Sequence, residues 1–142
     1  MTKLGVREIR RGVASILAGT AFAAMMLPGS GRAADPVNIG VLFGLTGTAA
    51  VSCQESLNSV KLAVSEINKA GGVLGRQINL IVEDDEGRPN AAIQAANKLA
   101  DIDKVPVVIG GYQSSTAQPA GKVFNNKNVV FVVDATSPEE DE

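Results

Sequence analysis

The sequence contains no histidine and no tryptophan, one tyrosine and one cysteine. The lack of histidine removes the commonest general base and metal ligand. With Cys53 as the lone cysteine, no intramolecular disulfide can form. As a nucleophile it would have no histidine partner, so it reads as a small residue in a helix or the loop before it. Beyond the first dozen residues there is no cluster of lysine or arginine, and the formal net charge is −2. That argues against a nucleic-acid partner, which needs a basic footprint, and gives no reason to expect binding to an anionic membrane surface. What remains, 45% hydrophobic and 20% charged residues, is ordinary for a soluble globular protein. A chain of 142 residues allows at most one domain.

The first segment reads as an address. Lys3, Arg7, Arg10 and Arg11 precede an apolar stretch from Val13 to Leu27. Gly31-Arg32-Ala33 then offers small residues at the two positions a signal peptidase needs, with cleavage after Ala33. The apolar run is too short for a span, which takes roughly 20 residues. Residues 1–33 are therefore expected to be a secretory signal and 34–142 the exported part, with no membrane span left after cleavage. The Arg10-Arg11 pair suits either twin-arginine export or an ordinary positive leader.

After Pro36, short apolar runs alternate with helical patterns. Strands are expected at Val37–Phe43, from Ile78 to Val82, from Val105 to Ile109 and from Val129 to Val133. Helices are expected from about Gln54 to Ala70, from Pro89, and from near Ser114-Ser115-Thr116. The inward faces would be Leu57, Val60, Val64 and Ile67 in the first, Ile93, Ala96, Leu99 and Ala100 in the second, and Ala117, Ala120, Val123 and Phe124 in the third. This β-α-β-α-β-α-β order implies an α/β fold with a doubly wound, mainly parallel sheet and right-handed crossovers. The Val/Ile-rich runs suit strands buried on both faces. The last strand is followed by Ser137-Pro138-Glu139-Glu140-Asp141-Glu142 and no covering helix, so a partial sheet is expected.

Ligands on such sheets bind beyond the carboxyl ends of the strands. The segments there are Leu45 to Ala50, Asp84-Asp85-Glu86, Gly111 to Thr116, and Asp134 to Ser137. Ser114 and Ser115 would open a helix, where free N–H groups and a positive dipole hold a carboxylate or phosphate. Plain capping needs only one of them. The second hydroxyl loop at Thr136 favours binding, provided the third and fourth strands are neighbours. Glu83 to Glu86 reads as a solvated turn rather than a metal site, because consecutive acids point in different directions. Gly44, Gly47 and Ala50 do not complete a dinucleotide fingerprint.

Five stretches in order, Ile39 to Gly47, Ala63 to Gly75, Ile78 to Asp85, Val108 to Ala120 and Ala135 to Glu139, resemble the branched-chain amino-acid (leucine/isoleucine/valine) binding proteins of ABC transporters, the type I periplasmic binding proteins. The resemblance implies part of the first of two lobes that close over a ligand, and a non-enzymatic, periplasmic role delivering a small solute to a membrane permease, with no cofactor. It implies that Ser114 offers its hydroxyl and N–H to the ligand carboxylate and that Thr136 offers the same from the loop after the fourth strand. The carbonyl of Asp134 would accept from the ligand ammonium. Ser115, Thr46 and Tyr112 complete the candidate set, Tyr112 as part of the wall around the ligand side chain. One departure is Ser52, aligned where many members carry an aromatic, which leaves the side-chain preference open. The other is length, since the rest of lobe one, the hinge and lobe two are not here. Alternatives are a sensor of the same fold for amides, urea or aromatic acids, and an exported Rossmann-like nucleotide enzyme, which would need a tighter glycine loop.

Overall fold

A computed structural model describes residues 35–135, and the expected signal segment and Thr136 lie outside the described residues. The elements run β1 (Val37–Phe43), α1 (Ala50–Lys69), β2 (Ile78–Asp84), α2 (Pro89–Asn97), a π-helical turn (Lys98–Ile102), β3 (Val107–Gly110), α3 (Ser114–Asn126) and β4 (Val130–Val133). All pairings within the four-stranded sheet are parallel and the strand order is β2-β1-β3-β4. The doubly wound α/β expectation is thus met, with β1 inside the sheet.

Strand alternation sorts the core into two layers. On one face Val41 and Phe43 pack with Leu80 and Val82 under Cys53, Leu57 and Val60 of α1. On the other, Leu42, Val108 and Val105 pack with Ala92, Ala96 and Leu99, and with Ala120 and Phe124 of α3. Small alanines on α2 bring it close to the sheet. Phe124 fills the space under α3, its ring 4.9 Å from that of Phe131.

Several boundaries differ from the sequence reading. Helix α1 starts at Ala50 rather than near Gln54. Its first turn carries Val51, which is exposed, so no apolar period marks it. The far end of α1 is pinned to β2, where the Asn68 side chain accepts from the Ile78 amide at 2.7 Å and donates to the Ile78 carbonyl at 2.9 Å. Ile67, expected inward, is 40% exposed. Val105 is buried yet lies before β3, its amide donating to the Leu99 carbonyl. Pro106, which has no N–H to give a ladder, separates it from the strand.

The expectation of strands buried on both faces fails for β4. Phe131 packs on the α3 layer, but Val130 and Val132 are 59% and 52% exposed. They point to the side of the sheet whose other end α1 covers.

Candidate functional site

The winding sets where a site can form. Helix α1 leaves β1 towards one face, and α3 leaves the neighbouring β3 towards the other. Where successive connections diverge in this way, the carboxyl edge opens into a crevice.

On the β3 side, two glycines let α3 begin at once. Gly111 has φ +76° and Gly110 φ +150°, and a Cβ on Gly110 would stand 1.9 Å from the Leu42 carbonyl oxygen. Only glycine fits so close to β1 in that conformation. The helix then opens at Ser114, with Gln113 extended before it and no side chain capping the end. The first-turn residues divide by direction. Thr116 is buried and donates its hydroxyl to the Gln113 carbonyl at 3.0 Å. Ser114 is half-buried and Ser115 exposed, and neither hydroxyl is hydrogen-bonded among the described residues. The plain-capping reading of these serines therefore does not hold here.

Strand β4 lies beside β3, as the two-loop argument requires. The Asp134 amide continues the ladder by donating to the Gly110 carbonyl at 2.9 Å, which brings Asp134 alongside the loop that leads to Ser114. Its carboxylate accepts from the Ser56 hydroxyl of α1 at 3.4 Å. Tyr112 sits in the same loop and is 40% exposed.

Thr46 is tied elsewhere. Its hydroxyl donates to Asp84 Oδ2 at 2.8 Å, and Asp84 Oδ1 accepts from the amides of Leu45 at 2.8 Å and Glu86 at 2.7 Å. Burial alone would raise the Asp84 carboxyl, but the Glu86 amide, the Thr46 hydroxyl and the Leu45 and Thr46 amides outweigh it and hold it below the ordinary range.

The acidic run is not a uniform solvated turn. Glu83 pairs with Lys98 and the exposed Glu86 with Arg88. Asp85 is only 1% exposed, accepts from the Gly87 amide at 2.8 Å, and is hydrogen-bonded to Thr116, whose single hydroxyl proton it shares with the Gln113 carbonyl. Burial pushes its carboxyl up, these two bonds oppose the rise, and nearby Asp84 adds to it. Strand alternation could have found this residue, because Ile81, Glu83 and Asp85 share the face that α2 and α3 cover. Cys53 lies fully buried behind the same edge. Burial raises its thiol, a bond with the Gly44 backbone opposes this, and Asp85, Asp134 and Asp84 add to it.

Among the described residues, the edge thus offers an uncapped helix start with two hydroxyls that make no hydrogen bond, alongside the Asp134 carboxylate. An anion suits the first and a cation the second, so a zwitterion suits the pair. Among the described residues, no group of three or more His, Cys, Asp or Glu side chains could hold a metal ion, and no helix is long and apolar enough to cross a membrane.

The Leu/Ile/Val-binding protein BraC3 of Rhizobium johnstonii is 35% identical over 127 residues, covering 89% of this chain and 32% of that one. The leucine-, isoleucine-, valine-, threonine- and alanine-binding protein of Pseudomonas aeruginosa is 35% identical over 122 residues, covering 83% and 32%. The chain therefore spans about a third of the length of these curated relatives. Among solved structures, the branched-chain amino acid transporter substrate binding protein LivJ of Streptococcus pneumoniae, in complex with isoleucine, superposes with a TM-score of 0.71 at 28% identity, covering 72% of this chain and 30% of that one. An ABC transporter substrate-binding protein of Desulfitobacterium hafniense, in complex with Leu, gives 0.65 at 30% identity, covering 75% and 30%. Residues 36–142 match the family described as periplasmic binding protein, and the chain belongs to that family.

Proposed function

We propose that this chain carries the first-lobe half of an amino-acid site in an ABC-transporter solute-binding protein, acting by capture rather than catalysis. The observation that carries this reading is the uncapped start of α3, with the Ser114 and Ser115 hydroxyls making no hydrogen bond among the described residues, next to the end of β4. In this reading Ser114 gives its hydroxyl and N–H to the ligand carboxylate, where the helix dipole favours negative charge. Ser115 lends a second hydroxyl at the rim, and Thr136 a third from the loop after β4. The Asp134 carbonyl accepts from the ammonium. The Thr46 hydroxyl proton is committed to Asp84, so towards a ligand it acts as an acceptor. Tyr112 forms part of the wall around the ligand side chain.

The names of the relatives favour branched-chain and small aliphatic amino acids. Residues 1–33 act as the export signal, the site of action is the periplasm, and the receiving partner is a membrane permease. No cofactor enters the scheme.

Isothermal titration with leucine, isoleucine, valine, threonine, alanine and a set of polar amino acids tests the reading. Binding of at least one amino acid, weakened about tenfold or more by Ser114→Ala, is expected for a hydroxyl bonded to a charged group. Saturable binding of an amide, urea or a nucleotide, with no response to any amino acid, would overturn it.

A further inference from the structure

We infer that Asp85 is a positioning residue for the ligand loop, a buried carboxylate that holds the start of α3 in register with the ends of β1 and β2. The inference rests on the amino-acid reading of the Ser114 loop.

Asp85 sits where three segments meet. Its amide donates to the Phe43 carbonyl at the end of β1, and its carbonyl accepts from the Arg88 amide at the start of α2. Its side chain accepts from the Gly87 amide and is hydrogen-bonded to the Thr116 hydroxyl in the first turn of α3. Thr116 in turn reaches the carbonyl of Gln113, the residue before Ser114. The route from Asp85 to Ser114 therefore runs through one side chain and one backbone carbonyl.

The junction has no slack. A Cβ on Gly44 would stand 2.9 Å from Asp85 Oδ1, and one on Gly87 would stand 2.9 Å from Gln113 Oε1. Gln113 Oε1 itself is buried and accepts no hydrogen bond among the described residues. Neither Asp85 nor Thr116 faces the crevice, as both are 1% exposed. A buried carboxylate is costly to retain unless its bonds are made. Here the carboxylate's bonds go to the Gly87 turn and to the first turn of α3, the two segments that flank the site.

The chemistry distinguishes two substitutions. In Asp85→Asn the amide oxygen still accepts from Gly87 N–H. The new NH2 can donate to Thr116 Oγ1, which frees that hydroxyl's single proton for the Gln113 carbonyl. Asp85→Ala removes both links, and Thr116→Val removes the link to α3 together with the Thr116–Gln113 bond.

The test uses the full chain, with leucine as the probe, and reads backbone order by NMR together with affinity by titration. In Asp85→Ala, order parameters at Gly87 and Gln113–Ser115 should fall from about 0.85 to below about 0.6, while amides in β1 and β3 stay unchanged. In Thr116→Val only the α3 start should loosen. Asp85→Asn should restore order at both. Leucine affinity should follow, falling roughly tenfold (about 1.4 kcal/mol) in Asp85→Ala and less than about threefold in Asp85→Asn.

Unchanged order at Gln113–Ser115 in Asp85→Ala and in Thr116→Val overturns the inference, and so does equal loosening in Asp85→Asn and Asp85→Ala. If Asp85→Ala does not fold, the Thr116→Val and Asp85→Asn arms decide alone. If the wild-type chain binds no leucine or other amino acid, the ligand reading falls, and the order measurements still judge whether Asp85 positions the loop.

Discussion

Truncating Phe124 should come close to unfolding the domain, and the size of the effect can be worked from its surroundings. Phe124 is 0% exposed and lies among Leu42, Ala92, Leu99 and Ala120, with the Phe131 ring against it. Phe124→Ala removes that burial and leaves a cavity that the surrounding helix and sheet can only partly close, at a cost of about 3–5 kcal/mol. A domain of about 100 ordered residues has roughly 5–15 kcal/mol in total. With a urea slope of about 1–3 kcal/mol per M, the midpoint should drop by at least about 1 M. Phe124→Leu keeps most of the volume and should cost roughly 1–2 kcal/mol. A double-mutant cycle with Phe131→Ala should give a coupling of about 0.5–1.5 kcal/mol for the ring pair. Circular dichroism during urea unfolding measures all of these. A midpoint shift for Phe124→Ala below about 0.3 M would refute the docking of α3 on this face, and with it the placement of the Ser114 loop.

Four further outcomes follow from the same geometry. Asp84 has a lowered folded carboxyl, so its stabilisation is present above its ordinary value of 3.8 and lost as pH falls through the folded value; Asp84→Asn should flatten the acid limb of the stability curve in urea titrations. Asp85 has a raised folded carboxyl, so the native state binds its proton more tightly than the unfolded chain. The stability of wild type relative to Asp85→Asn should therefore decline as pH rises from 3.8 through the folded value, and a constant difference would contradict the burial argument. Gly110→Ala should cost more than about 2 kcal/mol, because its Cβ would meet the Leu42 carbonyl at 1.9 Å; wild-type melting would show that the β3 turn can shift. Cys53, fully buried with a raised thiol, should react with a thiol reagent only at the rate of opening, and labelling as fast as in urea would place it at the surface.

Element order and winding were legible in the sequence because Val/Ile runs and 3.6-residue periods are strong signals over these lengths. The start of α1 was less so. The first turn of α1 holds Val51 facing water, so its start carries no apolar period, whereas α2 and α3 begin at Pro89 and Ser114, where they were expected. The place of Ser114, Ser115 and Asp134 at the carboxyl edge was legible because position after β3 and β4 puts them there. That of Tyr112 and Thr46 was legible by the same rule, but it gave no hint that the Thr46 hydroxyl serves Asp84. Asp85 was misread within a run of four acids. Charge type suggests solvent, and only the face set by strand alternation shows that it turns inward under α3.

The exposure pattern at the carboxyl edge also bears on how sequences of this kind can drift. Thr46, Tyr112, Ser115 and Asp134 are exposed, whereas Thr116, Asp85, Gly110 and Gly111 are buried beneath them. Substitutions in the upper tier disturb little packing and, Thr46 with its bond to Asp84 apart, should lie within roughly 0.5 kcal/mol of neutral. Those in the lower tier strike backbone or buried bonds. Under the proposed reading, the side chains that would set solute preference can therefore change while the floor beneath them stays fixed, and a change of solute need not be accompanied by a loss of foldedness.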